Sequence, residues 1–86
     1  MTHGGHRSSE MVLRTGVALS TLSLYELWAN YLGVGGNLTQ SELAAALVGV
    51  LPLSPHDHDQ VAQALNDHLL EHHPGLNHRV TYSHEL

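Results

Sequence analysis

The chain has 86 residues and a net charge of −5 at pH 7, with three arginines, no lysine, eight acidic residues and no cysteine. Without cysteine, disulfide bonds, thiolate metal sites and a cysteine nucleophile are excluded. The negative charge repels phosphate backbones, so we expect no nucleic-acid partner. The longest apolar run, residues 43–53, is too short to cross a bilayer. These properties indicate one small cytoplasmic domain that does not contact a membrane.

Residues 1–20 are predicted to form a flexible N-terminal tail, and residues 21–86 are predicted to form the folded domain. The first ten residues are polar and show no hydrophobic period. Residues 11–19 carry several apolar side chains around Gly16, but their spacing matches neither a helix nor a strand. This segment is therefore expected to be either a short docked arm or a frayed helix.

The first clear helix is predicted over residues 24–32. Ser23 and Glu26 have the spacing of a capping box, in which each side chain bonds the other residue's backbone N–H. Apolar side chains then recur on one helical face at Leu24, Leu27, Trp28 and Tyr31. Three glycines between residues 33 and 36 end the helix.

The second predicted helix begins in the same way, with Thr39 as the N-cap and Glu42 three residues later. This position makes Glu42 a capping carboxylate. The apolar pattern continues to Leu51, and Pro52 is expected to end the helix because it lacks a backbone N–H.

The third predicted helix begins at Ser54 and Pro55, an N-cap followed by a proline in the first helical position. Its buried stripe is expected to contain Val61, Leu65 and Leu69, and it ends before the proline at position 74. Residues 80–82 near the C-terminus are β-prone.

The two segments that follow the first and third helices share a pattern of glycine and apolar residues. Gly36, Leu38 and Glu42 occupy positions 6, 8 and 12 of an EF-hand loop. A second version of the pattern occurs 42 residues later, where Val80 takes the place of Leu38. Over about residues 22–86 the chain therefore resembles a degenerate pair of EF-hands.

The resemblance implies an all-α, EF-hand-like domain of three firm helices with a two-strand mini-ladder between the loops. In that family the apolar loop residues, here Leu38 and Val80, pair across the ladder. The loop-pairing residues implied are Gly36, Leu38, Thr39, Glu42, Val80 and Thr81. Calcium binding is not implied, because Tyr31, Gly33 and Gly35 occupy ligand positions and the second loop has no carboxylate at such a position.

No combination of residues forms a catalytic or cofactor motif, so we predict neither enzymatic activity nor a cofactor. Residues 38–44 resemble the start of a helix-turn-helix, but Pro52 and Pro55 fall where the recognition helix would run.

His68 and His72, spaced four residues apart, are the candidate ligands for a transition metal.

The predicted function is a calcium-independent regulatory or adaptor module that binds an unidentified protein partner. Its predicted interaction surface consists of Trp28, Ala44, Ala45, Leu47, Val48 and Val50. An EF-hand pair has a fourth helix, whose place is expected to be covered by residues 11–19 or by a second copy. We favour a homodimer, because Gly16 and nearby β-branched residues disfavour a helix. The alternative function is a transition-metal or pH sensor based on the nine histidines.

Overall fold

The computed structural model describes residues 9–73, 75 and 79–85, which form four α-helices and a short 3₁₀ helix. Their bounds are Ser9–Ser20 (α1), Leu24–Gly33 (α2), Gln40–Leu47 (α3), Pro55–His72 (α4) and Ser83–Glu85 (3₁₀). The prediction of an all-α domain is confirmed. The predicted two-strand ladder is wrong, because these residues contain no β-strand. In the same residues no helix is long and apolar enough to span a membrane.

The starts of α2 and α3 follow the local sequence, and both predicted capping boxes are confirmed. Ser23 N–H donates to Glu26 Oε1 at 2.9 Å, and Glu26 N–H donates to Ser23 Oγ at 3.1 Å. Thr39 and Glu42 make the equivalent pair at 2.8 and 3.1 Å. These bonds satisfy N–H groups that have no partner within the helix.

Helix α3 ends at Leu47, four residues before the predicted end at Leu51. The chain turns at Gly49, whose φ of 82° lies in the left-handed region that favours glycine. The N–H groups of Val50 and Leu51 then both donate to the carbonyl of Ala45. Gly49 therefore ends the helix before Pro52 can do so.

Helix α1 supplies the fourth helix of the domain. Its inner side buries Val12, Leu13, Gly16 and Ser20. The helix packs on α4 and α3, while α2 also contacts both of these helices. The expectation that this segment is a poor helix is wrong, because burial of its apolar face outweighs weak helix propensity. The part of the predicted flexible tail at residues 1–8 lies outside the described residues.

Candidate functional site

Residues 79–85, called the C-terminal segment below, cross α4 without forming a strand. Asn66 bonds both backbone groups of Val80. Its Oδ1 accepts from the Val80 N–H at 2.6 Å, and its Nδ2 donates to the Val80 carbonyl at 3.0 Å. The amide side chain thus bonds the segment in the way that a neighbouring strand would, because an amide carries both a donor and an acceptor.

A second α4 side chain that bonds the segment is the buried imidazole of His58, which is 2% exposed. Its Nε2 lies 2.7 Å from the Thr81 carbonyl, and its Nδ1 lies 2.6 Å from Ser9 Oγ. A carbonyl only accepts hydrogen bonds, so Nε2 carries the hydrogen in the neutral ring and Nδ1 accepts from the serine hydroxyl. His58 therefore connects α1, α4 and the C-terminal segment.

Asp59 makes the third set of bonds, to the start of the 3₁₀ helix. Its carboxylate accepts from Ser83 N–H at 2.7 Å and from Ser83 Oγ at 3.0 Å. The Ser83 N–H stabilises the charged form and lowers the pKa of Asp59 from its usual 3.8, although burial opposes the shift. Ionised Asp59 is thus the form that holds this part of the segment.

An ion pair joins the first and last residues of the C-terminal segment. Arg79 Nη2 lies 2.6 Å from Glu85 Oε2, and Tyr82 N–H donates to Glu85 Oε1 at 3.1 Å. The arginine bond, followed by the backbone N–H bond, lowers the pKa of Glu85 from 4.5 to about 2. The Arg79 and Glu85 side chains are 55% and 32% exposed, so solvent screens the pair, which fixes the shape of the segment more than it stabilises the domain.

The side chain of Val80 anchors the segment in a groove between α1 and α4. It is fully buried, and Gly16 of α1 provides the space. A Cβ atom on Gly16 would lie 2.5 Å from Val80 Cγ2 and 3.1 Å from Leu65 Cδ1. We call this site, formed by Gly16, His58, Asp59, Leu65 and Asn66, the α1–α4 groove.

The predicted pairing of Leu38 with Val80 does not occur. Leu38 N–H donates to Tyr31 Oη at 3.0 Å, and its carbonyl accepts from Trp28 Nε1 at 2.9 Å. Val80 and Thr81 are bonded to α4 side chains instead. The side chains of α2 and α4 thus provide the backbone partners that the resemblance had assigned to a ladder.

Gly36 lies where the resemblance placed a sharp turn, but close packing explains why glycine is needed there. A Cβ atom at Gly36 would lie within 2.3 Å of three Tyr31 ring atoms. The same tyrosine hydroxyl accepts the N–H groups of Asn37 and Leu38. Thr39 and Glu42 follow as the cap of α3. The loop is therefore organised around an aromatic ring.

The predicted interaction surface divides into buried and exposed parts. Leu47 belongs to the core, and Trp28 packs against it. Ala44 and Ala45 are half-buried, whereas Val48 and Val50 are 64% and 76% exposed. The large exposed apolar side chains of the described residues are Met11, Tyr25, Leu32, Val48, Val50 and Leu70.

The predicted metal ligands lie at the C-terminal end of α1. His68 Nε2 is 3.2 Å from the Ser20 carbonyl, and His73 Nε2 is 3.3 Å from the same atom. The His72 ring stacks on His68 with 4.5 Å between ring centres, and its Nε2 faces Glu71 at 3.2 Å. His68 and His73, together with the Thr21 hydroxyl at 2.6 Å, thus surround a carbonyl of the last helical turn that has no partner within the helix.

A shallow cavity of about 240 Å³ lies beside these rings, between α2 and α4. Its lining is mainly polar and consists of Asn30, Val34, Ala64, Asp67, His68, Glu71 and His72. Within the described part of the chain, no three histidine or acidic side chains are arranged to hold a metal ion. The spacing of His68 and His72 predicted metal ligands, whereas the structure places His68 against the Ser20 carbonyl and stacks His72 on the His68 ring.

The α4 residues that bond the C-terminal segment were not predicted from the sequence. His58 lies three and seven residues before Val61 and Leu65, so it falls on the buried stripe of α4. A histidine in that register, with Asn66 near the other end of the stripe, indicates polar groups that need partners inside the fold. Nothing in the local sequence shows that residues 79–83 supply them.

No model of a known protein family, no curated protein and no solved structure matches the chain. The function is therefore inferred from the contacts, burial and charges of its own residues.

Proposed function

We propose that the protein is a regulatory or adaptor module that acts by protein contact, through an apolar surface at the C-terminal end of α3. This surface, called the α3 surface below, consists of Ala44, Ala45, Val48 and Val50. The observation that carries the proposal is the exposure of Val48 and Val50, at 64% and 76%, within a stretch that has no charged residue. Exposed apolar patches on small proteins commonly mark contact sites.

The charge of the chain favours a second copy as the partner. Two copies with a net charge of −5 repel each other, and the repulsion is smallest where the contact itself contains no charge. Residues 43–53 have neither acidic nor basic side chains. A two-fold contact places the same patch on both sides, so a charge-free patch can face itself without bringing like charges together.

Among the described residues, the two other most exposed large apolar side chains, Tyr25 and Leu70, fit a two-fold contact less well. Tyr25 precedes Glu26 in α2, and Leu70 precedes Glu71 in α4. A symmetric contact centred on either residue would bring two like carboxylates towards each other, which opposes association. At the edge of the α3 surface, the Glu10 side chain lies beside Gly49.

Sedimentation equilibrium of the full-length chain tests this proposal. We expect a concentration-dependent dimer, and we expect Val50→Asp to raise the dimer Kd by at least about tenfold, because a buried unpaired charge opposes association. The matched control is Leu70→Asp, which adds the same charge at a leucine that is 77% exposed. This control should dimerise like the unmodified chain.

Two results would overturn the proposal. One is a full-length chain that remains monomeric up to millimolar concentration. The other is an equal loss of dimer in the Val50 and Leu70 variants, which would show that added charge alone disrupts the contact. Circular dichroism of both variants is the check that each retains its helices.

A further inference from the structure

The α1–α4 groove binds the C-terminal segment mainly through the segment's backbone. Asn66 bonds the N–H and carbonyl of Val80, and His58 bonds the carbonyl of Thr81. Asp59 bonds the N–H of Ser83. These four groups are present in a peptide of almost any sequence, so this part of the contact does not depend on the side chains of the segment.

Side-chain selectivity comes from three positions. Val80 fills the space above Gly16 and is fully buried. Tyr82 is half-buried and packs against the hydrophobic core. The Ser83 hydroxyl donates to Asp59 Oδ2 at 3.0 Å. A matching ligand is therefore a peptide with a small aliphatic residue, one variable residue, an aromatic or aliphatic residue and then a serine or threonine.

We infer that the α1–α4 groove is a binding site for such peptides, and that the C-terminal segment is its intramolecular occupant. Peptide-binding sites commonly use main-chain hydrogen bonds for affinity and side-chain pockets for specificity. The groove contains both elements. The partner is a segment of another protein that carries the aliphatic, core-packing and hydroxyl positions and turns at the hydroxyl residue, as the C-terminal segment does at Ser83.

The intramolecular occupant controls access to the groove. A tethered segment has a high effective concentration, of the order of millimolar for short linkers, so it competes with any external peptide. The external peptide binds only those molecules in which the segment has left the groove. Its apparent affinity is therefore reduced in proportion to the fraction of such molecules. A substitution that weakens the contact between the C-terminal segment and the groove should therefore strengthen binding of an external peptide.

The test uses the full-length chain with Val80→Ala and a synthetic peptide of the sequence of residues 79–85, with both ends capped. Binding is followed by NMR through the Gly16 amide and the Asn66 side-chain amide. We expect saturable shifts of both signals, with a Kd at least about tenfold lower for the Val80→Ala chain than for the unmodified chain. The control peptide has aspartate in place of valine and should not bind.

Leu70→Ala is the matched control variant, because it truncates an exposed aliphatic side chain on α4. It should bind the peptide as weakly as the unmodified chain does. If Val80→Ala abolishes helical circular dichroism, the peptide should restore that signal, because it then supplies the missing anchor. The inference is overturned if the peptide neither shifts the two amide signals nor restores the helices, or if the aspartate peptide does so equally well.

Discussion

The contact between Gly16 and Val80 predicts a non-additive pair of substitutions. In Gly16→Ala the new Cβ would lie 2.5 Å from Val80 Cγ2, too close without movement. Overpacking of this kind costs about 1–3 kcal/mol, while alanine gains about 1 kcal/mol over glycine inside a helix. We expect the free energy of unfolding to fall by about 1 kcal/mol.

Val80→Ala removes two methyl groups from a fully buried side chain. At about 0.8 kcal/mol for each group, with an added cavity cost, the loss is about 2–3 kcal/mol. In the double variant the new methyl group at position 16 enters the vacated space, which removes the clash with Val80 Cγ2 and keeps the helix gain. The double variant should therefore be about 2 kcal/mol more stable than the sum of the single losses predicts.

Equilibrium unfolding in urea, followed by far-UV circular dichroism, measures all four members of this cycle. The control cycle replaces Gly16→Ala by Gly33→Ala, because in the described part of the chain nothing beyond the adjacent residues and the backbone of its own helix lies within 4 Å of a Cβ placed at Gly33. That cycle should be additive to within about 0.5 kcal/mol. Additivity in the Gly16 cycle as well would refute the proposed fit of Val80 above Gly16.

Two further predictions concern solution conditions. The pKa values of Asp59 and Glu85 are lowered in the fold, so the stabilisation from each group is complete above its usual value, 3.8 or 4.5, and is lost as the pH falls below that value. For Glu85 the loss extends down to a pH of about 2. The NMR signals of residues 79–85 should therefore change over this pH range. Asp59→Asn should reduce the change at the Ser83 signal. A Ser83 titration that is the same in this variant and in the unmodified chain would contradict the assigned bonds. Millimolar calcium should leave the melting temperature unchanged beyond an ionic-strength control, because Glu42 already bonds the Thr39 N–H; a saturable shift within residues 33–42 would contradict this.

The local sequence determined where three of the helices begin. Ser23, Thr39 and Ser54 each accept a hydrogen bond from the N–H three residues later, as their spacing predicted. N-capping depends on residues within one turn of each other, so it can be recognised without knowledge of the rest of the fold. The all-α class followed from the same signals and from the spacing of the apolar residues.

Only the tertiary structure decided the path of residues 9–20 and of the C-terminal segment. The spacing within residues 11–19 was ambiguous, and packing on α4 selected the helix. Val80 looked like a strand residue, but it lies in a groove whose partners come from positions 14 and 64 residues away in the chain. Asn66 replaces a second strand because one amide group satisfies both backbone groups of Val80. Such long-range satisfaction of backbone groups leaves no periodic signal in the sequence.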